Sequence, residues 1–97
     1  MNLSDEQLKD IEELAGLFLT ADEIAILIDL DIDLFIAEIS NKKSRAFAAY
    51  FLGKTRSKKK IRENVIKMAR NGSPQAEELA DAYIESQKLF ERKNHGR

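Results

Sequence analysis

Apolar residues return every three or four places along most of this chain and nowhere alternate one by one. That spacing predicts helices and no strands. A first helix opens at Ser4, which has capping-box spacing to Gln7, and puts Leu8, Ile11, Leu14, Ala15 and Phe18 on one face before ending near Leu19. Thr20 caps a short second helix with Ile24, Ala25, Leu27 and Ile28 inward. Asp29-Leu30 makes a turn, and Asp31 caps a third helix with Ile32, Phe35, Ile36 and Ile39 inward. After the polar link Asn41-Lys42-Lys43, Ser44 caps a long fourth helix. Phe47, Tyr50, Phe51, Ile61, Val65, Met68 and Ala69 follow helical spacing there. Between Lys54 and Lys60 no face is apolar enough to be buried in the core of one chain. Gly53, just before that gap, marks a bend or a close approach.

Asn71-Gly72 reads as a helix stop, and Ser73-Pro74 as the cap and first residue of a fifth helix. Ala76, Leu79, Ala80, Tyr83, Ile84 and Phe90 form its stripe. So tight a link predicts an antiparallel pair of the fourth and fifth helices. The expected architecture is all-α: an N-terminal three-helix helix-turn-helix unit, then a long basic helix, then an antiparallel C-terminal helix. In residue ranges, 1–43 is the helix-turn-helix unit and 44–91 the helical hairpin, within the same compact domain or as an oligomerisation arm. Residues 92–97 are a frayed tail.

Charge changes this picture more than composition does. With 97 residues the chain is long enough for one small core. It has no cysteine, which removes disulfides, thiolate metal sites and a cysteine nucleophile. The start is acidic and polar, unlike a signal peptide. The most apolar window, Ile24–Ile39, contains Asp29, Asp31, Asp33 and Glu38, so a membrane partner is not expected. The net charge of −1 hides a segregation: 1–41 carries −10, 42–70 carries +10 and 71–97 carries −1. A sequence pI near 5.9 therefore misdescribes the local field a polyanion would meet.

Little in the sequence suggests catalysis. Asp29, Asp31 and Asp33 have the alternate spacing of a calcium loop, but Leu34 stands where the loop needs Gly and Ser40 where it needs Glu. Cap and turn duties account for these aspartates. His95 is the sole histidine and has no cysteine or second histidine to join it. The four glycines are scattered and form no phosphate loop. The expectation is a protein that is not an enzyme and holds no metal or cofactor.

Two features bear on nucleic acid. The second and third helices have helix-turn-helix spacing, with Ala25 at the small position and Ile24, Ile28, Leu30 and Phe35 at buried ones. Yet the would-be reading helix, DIDLFIAEIS, has no Lys, Arg, Gln or Asn for bases or phosphates. Its Asp31, Asp33 and Glu38 repel phosphate. A core element without DNA contact fits these residues too. The better anion-binding candidates are Lys42, Lys43, Arg45, Lys54, Arg56, Lys58, Lys59, Lys60 and Arg62, since phosphate contact needs point charges more than a fixed spacing. Solvated charges, or pairing with acids of another copy, are the alternatives for this cluster.

In order and spacing, three short pieces resemble the small terminase subunits of tailed phages and prophages. They are Glu23-Ile24-Ala25, Tyr50-Phe51-Leu52-Gly53-Lys54, and Met68-Ala69-Arg70-Asn71-Gly72-Ser73, and the resemblance spans about residues 5–88. It implies a non-catalytic protein for viral genome packaging in the bacterial host cytoplasm. Such a protein recognises double-stranded viral DNA, forms a homo-oligomer, and hands DNA to a large terminase subunit with ATPase and nuclease activity. Two other readings remain: a helical homo-oligomeric interaction module without nucleic acid, and a small helix-turn-helix transcription regulator.

Overall fold

The computed structural model describes residues 1–94, so His95 and the last residues of the expected tail lie outside the described residues. Five helices run in order: α1 (Asp5–Ala15), α2 (Ala21–Leu27), α3 (Ile32–Ser40), α4 (Arg45–Arg70) and α5 (Pro74–Asn94). The protein is all-α, with no strand among the described residues. Two compact units are present, Met1–Lys58 and Lys59–Arg97. Their division falls inside α4.

The first unit starts from well-satisfied helix ends. Gln7 N donates to Ser4 Oγ at 3.0 Å while Ser4 N donates to Gln7 Oε1 at 2.9 Å, completing the capping box of α1. Thr20 N donates to Glu23 Oε1 at 2.9 Å ahead of α2. The Thr20 hydroxyl donates to Asp22, and this bond holds the Asp22 carboxyl below its ordinary pKa. Asp31 accepts from Leu34 N at 2.9 Å, so the middle aspartate of the alternating trio is a helix cap. Asp29 takes φ 58°, the left-handed geometry that closes the α2–α3 turn. No cluster of three potential metal ligands exists among the described residues.

Ile11, Ala15, Ile24, Ala25, Phe35, Ala46 and Tyr50 form the core of this unit, with Leu8, Leu14, Ile28, Leu30 and Ile39 packed around it. Phe35, Ile11 and Ile24 are the largest fully buried side chains. Each contributes about 1.5–3 kcal/mol by leaving water.

Four apolar residues expected on inward faces are exposed. Helix α1 stops at Ala15, and Gly16 donates to Glu12 O at 3.0 Å as its cap, four residues earlier than the stripe suggested. Phe18 then falls outside the helix, at φ 62°, and is 46% exposed. Helix α2 is only seven residues long, too short to bury a wide face, and Leu27 is 62% exposed. Ile32 and Ile36 are also exposed, because Phe35 and Ile39 already fill the inward side of α3.

Helix α4 is capped as its sequence predicts: Phe47 N donates to Ser44 Oγ at 3.0 Å, and that hydroxyl donates to Glu38 O at 2.6 Å. The helix is unbroken through Gly53. Gly53 is a close approach rather than a bend, since a Cβ there would lie 2.1 Å from the Glu12 carbonyl oxygen on α1. The first three to four turns of α4, through Arg56, therefore lie against α1, which fits the extension of the compact unit to Lys58.

In the second unit, Gly72 N donates to Ala69 O at 3.0 Å and Ser73 N to Met68 O at 3.1 Å. This is a Schellman stop with Gly72 at φ 93°. Ser73 then caps α5, accepting from Ala76 N at 3.4 Å, with Pro74 in the first helical position. Ala76 is buried, whereas Leu79, Ile84, Leu89 and Phe90 are exposed. Helix α5 continues to Asn94, so 92–94 of the expected tail are helical. No helix among the described residues is long and apolar enough to cross a membrane.

Candidate nucleic-acid interface

The nine cationic candidates are placed by two local features. Lys42 and Lys43 sit on the link before α4, where Lys43 N donates to Asn41 Oδ1 at 3.0 Å and the backbone turns. The other seven lie on α4 itself. Lys58, Lys59 and Lys60 are consecutive on that helix, so they fan out about 100° apart and cannot share one stripe.

Within the first unit, two of the nine are neutralised by acids of the same chain. Arg45 pairs with Asp5, and Arg56 Nη1 lies 2.9 Å from Glu12 Oε2. Both pairs bind α4 to α1, and both are solvent-exposed, so each adds at most about 1 kcal/mol. The Lys54 ammonium lies 5.0 Å from the centre of the Tyr50 ring and 5.2 Å from that of Phe51. Its charge is directed onto an aromatic pair rather than to open solvent. Lys42, Lys43 and Lys58 are exposed and have no ion-pair partner among the described residues.

Within the second unit, Lys59 Nζ lies 2.9 Å from Glu63 Oε1, one turn along. That bond, reinforced by the charge of Lys59, holds the Glu63 carboxyl below its ordinary pKa. Arg62 stacks over the Tyr83 ring at 4.2 Å, so α4 and α5 meet about three turns from the Gly72 link. Lys60 is exposed and has no ion-pair partner among the described residues.

The nine thus separate by what holds them. Arg45, Arg56 and Lys59 are engaged by carboxylates, Lys54 and Arg62 by aromatic rings, and Lys42, Lys43, Lys58 and Lys60 by neither. An exposed lysine without a carboxylate can displace a condensed cation from a nucleic-acid phosphate at little cost. Guanidiniums already bridged to Asp5 and Glu12 must give up a bond first.

Sequence reasoning missed one feature of this surface. A groove of about 580 Å³ follows one face of α4 in the second unit, lined by Lys59, Arg62, Glu63, Ile66, Lys67, Arg70 and Asn71. Its spacing of three and four was visible in the chain, but it mixes one apolar residue with long cationic ones and so gave no hydrophobic stripe. The stems of Lys and Arg supply the apolar surface instead. Compared with protein-family models, curated proteins and solved structures, the chain finds no match.

Proposed function

We propose that this chain is a non-catalytic DNA-binding protein of the small terminase subunit type. In this reading it works in viral DNA packaging in a bacterial cytoplasm, binds double-stranded DNA, self-associates, and presents DNA to a large ATPase–nuclease subunit. Helices α2 and α3 form a helix-turn-helix whose role is to build the first unit, and α4 and α5 form an antiparallel hairpin. The observation carrying the proposal is that Lys42, Lys43, Lys58 and Lys60 stand exposed without acid partners among the described residues, in a chain that is acidic elsewhere.

Helix α3 is not the DNA-reading element in this proposal. Asp33 and Leu34 are exposed on it, and no cation accompanies them. The same fact disfavours a sequence-specific transcription regulator, which needs donors aimed at base edges.

The test is duplex binding as a function of salt. The logarithm of the binding constant falls by about 0.9 per phosphate contacted for each tenfold rise in salt. Replacing Lys58, Lys59 and Lys60 together by Glu should remove up to three contacts and flatten the slope by about 2–3. No duplex binding by the intact protein at low salt would refute the proposal.

A second reading has its own observation. Leu79, Ile84, Leu89 and Phe90 are exposed along α5, with Phe90 at 68%. An assembly module without nucleic acid would cover these residues with other copies. Light scattering without DNA, set beside the salt titration, separates the two readings.

A further inference from the structure

The acidic surface of α2–α3 and the groove on α4 have complementary chemistry. Between Thr20 and Ser40 there are six Asp or Glu and no Lys or Arg. This segment also exposes Ile26, Leu27 and Leu34, each by 60% or more. The groove of the second unit has the opposite character: Lys59, Arg62, Lys67 and Arg70 around Ile66, with Glu63 as the single carboxylate and already bonded to Lys59. Lys67 and Arg70 have no ion-pair partner among the described residues.

We propose that the acidic, apolar surface of α2–α3 of one copy docks in the basic-rimmed groove of α4 of a second copy, making a head-to-tail assembly. This names the interface of the self-association proposed above and rests on that reading only for the existence of an assembly. Leu34 and Leu27 supply apolar cover for Ile66 and the lysine and arginine stems. Asp33 and its acidic neighbours meet the rim. The occupant is a second copy because each chain carries both halves of the match. Two different surfaces in contact make a heterologous interface, which propagates into a ring or an open chain. The rim is ionic, so assembly weakens as salt rises. Lys59 and Arg62 serve both the groove and the cationic set, so docking and duplex binding draw on shared side chains.

The experiment uses two variants of the full chain, all at exposed positions. One is Asp33→Lys with Leu34→Ser, which spoils the acidic surface and leaves the groove. The other is Lys67→Gln with Arg70→Gln, which spoils the groove, leaves the acidic surface, and offers no carboxylate to the lysine of the first variant. Sedimentation equilibrium measures each alone and in a 1:1 mixture, with circular dichroism reporting the fold. The milder pair, Leu27→Ser and Lys67→Gln, replaces any variant that loses helix.

The expected result is wild-type assembly, at least tenfold weaker association for each variant alone, and a dimer that stops at two copies in the mixture. An isologous interface is told apart by the wild type, which would then also stop at two copies. Wild-type association by either variant, or a mixture that stays monomeric, would overturn the proposal. So would loss of duplex affinity in the groove variant without rescue of assembly, which assigns the groove to nucleic acid. Duplex binding measured in parallel keeps the failures apart: rescue without DNA binding defeats only the DNA reading, and DNA binding without rescue defeats only this one.

Discussion

Replacing Gly53 by Ala tests the packing that holds α4 to α1. The added Cβ would lie 2.1 Å from the Glu12 carbonyl oxygen, 2.9 Å from its carbon and 3.1 Å from its Cα. All three are backbone atoms, so no side chain can swing aside. Non-bonded carbon normally sits about 3.5–4.0 Å from its neighbours, so α1 and α4 must separate by about 1 Å. A gap of that size forfeits a quarter to a half of the dispersion contact on the facing surfaces. Those surfaces include Ile11 and Ala15 from α1 and Ala46 and Tyr50 from α4, all in the core. Overpacking of this kind costs about 1–3 kcal/mol, or more where backbone must move. Against it, Ala is favoured over Gly in a helix interior by about 1 kcal/mol. We expect a net loss of about 2 kcal/mol, a fall in Tm of roughly 8–16 °C for a domain of this size. Urea unfolding followed by circular dichroism measures it. Thr55→Ala, exposed on the same helix, is the control and should be neutral or slightly stabilising. If Gly53→Ala matches the wild type, helix propensity governs this position and the close approach of α1 to α4 is wrong.

Two further substitutions probe local chemistry. Gly72→Ala meets no atom within 4 Å, but φ is 93°, so it should cost about 1–2 kcal/mol through backbone strain alone; Gly72→Asn should recover part of that loss, and equal unfolding curves for all three would refute the left-handed stop. For Glu63, the Lys59 bond depresses the folded pKa, so the favourable interaction is present above the ordinary carboxylate range and is lost as pH falls through the lowered value. Carbon NMR titration of the Glu63 carboxyl should show a low midpoint that rises in Lys59→Gln, and an unmoved midpoint would refute the ion pair.

Helix ends were the most legible part of the sequence, because capping is short-range chemistry. Ser4 with Gln7, Asp31, Ser44, and Asn71 through Pro74 each declare themselves within four residues. The deep core positions Ile11, Ile24, Ala25 and Phe35 were legible too, since they lie at the centre of each apolar stripe. Stripe edges were not. Phe18, Leu27, Ile32 and Ile36 obey helical spacing, but how much of a face is covered depends on what packs there and on how long the helix lasts. The nine cations could be counted from the chain, while their pairing could not. Asp5 is 40 residues from Arg45, and Glu12 is 44 from Arg56. Only the approach of α1 to α4 joins them.

That pairing clarifies what α4 would gain from an anion. Like charges four apart on a helix cost about 0.2–0.5 kcal/mol each. Lys54 with Lys58, Arg56 with Lys60, and Lys58 with Arg62 all have that spacing, so their mutual repulsion is of the order of 1 kcal/mol. The fold relieves part of it. Glu12 answers Arg56, and the rings of Tyr50 and Tyr83 take Lys54 and Arg62. Lys58 and Lys60 are left without such relief among the described residues. A helix kept only for stability would place Glu four residues before these lysines, as it does nowhere between Arg45 and Lys60. Under the DNA proposal a phosphate backbone would relieve Lys58 and Lys60, whereas head-to-tail docking would set the carboxylates of a neighbouring copy against Lys67 and Arg70 instead. The two anions differ in what must accompany them. A duplex brings no apolar surface to cover Ile66, whereas α2–α3 of a second copy brings Leu27 and Leu34.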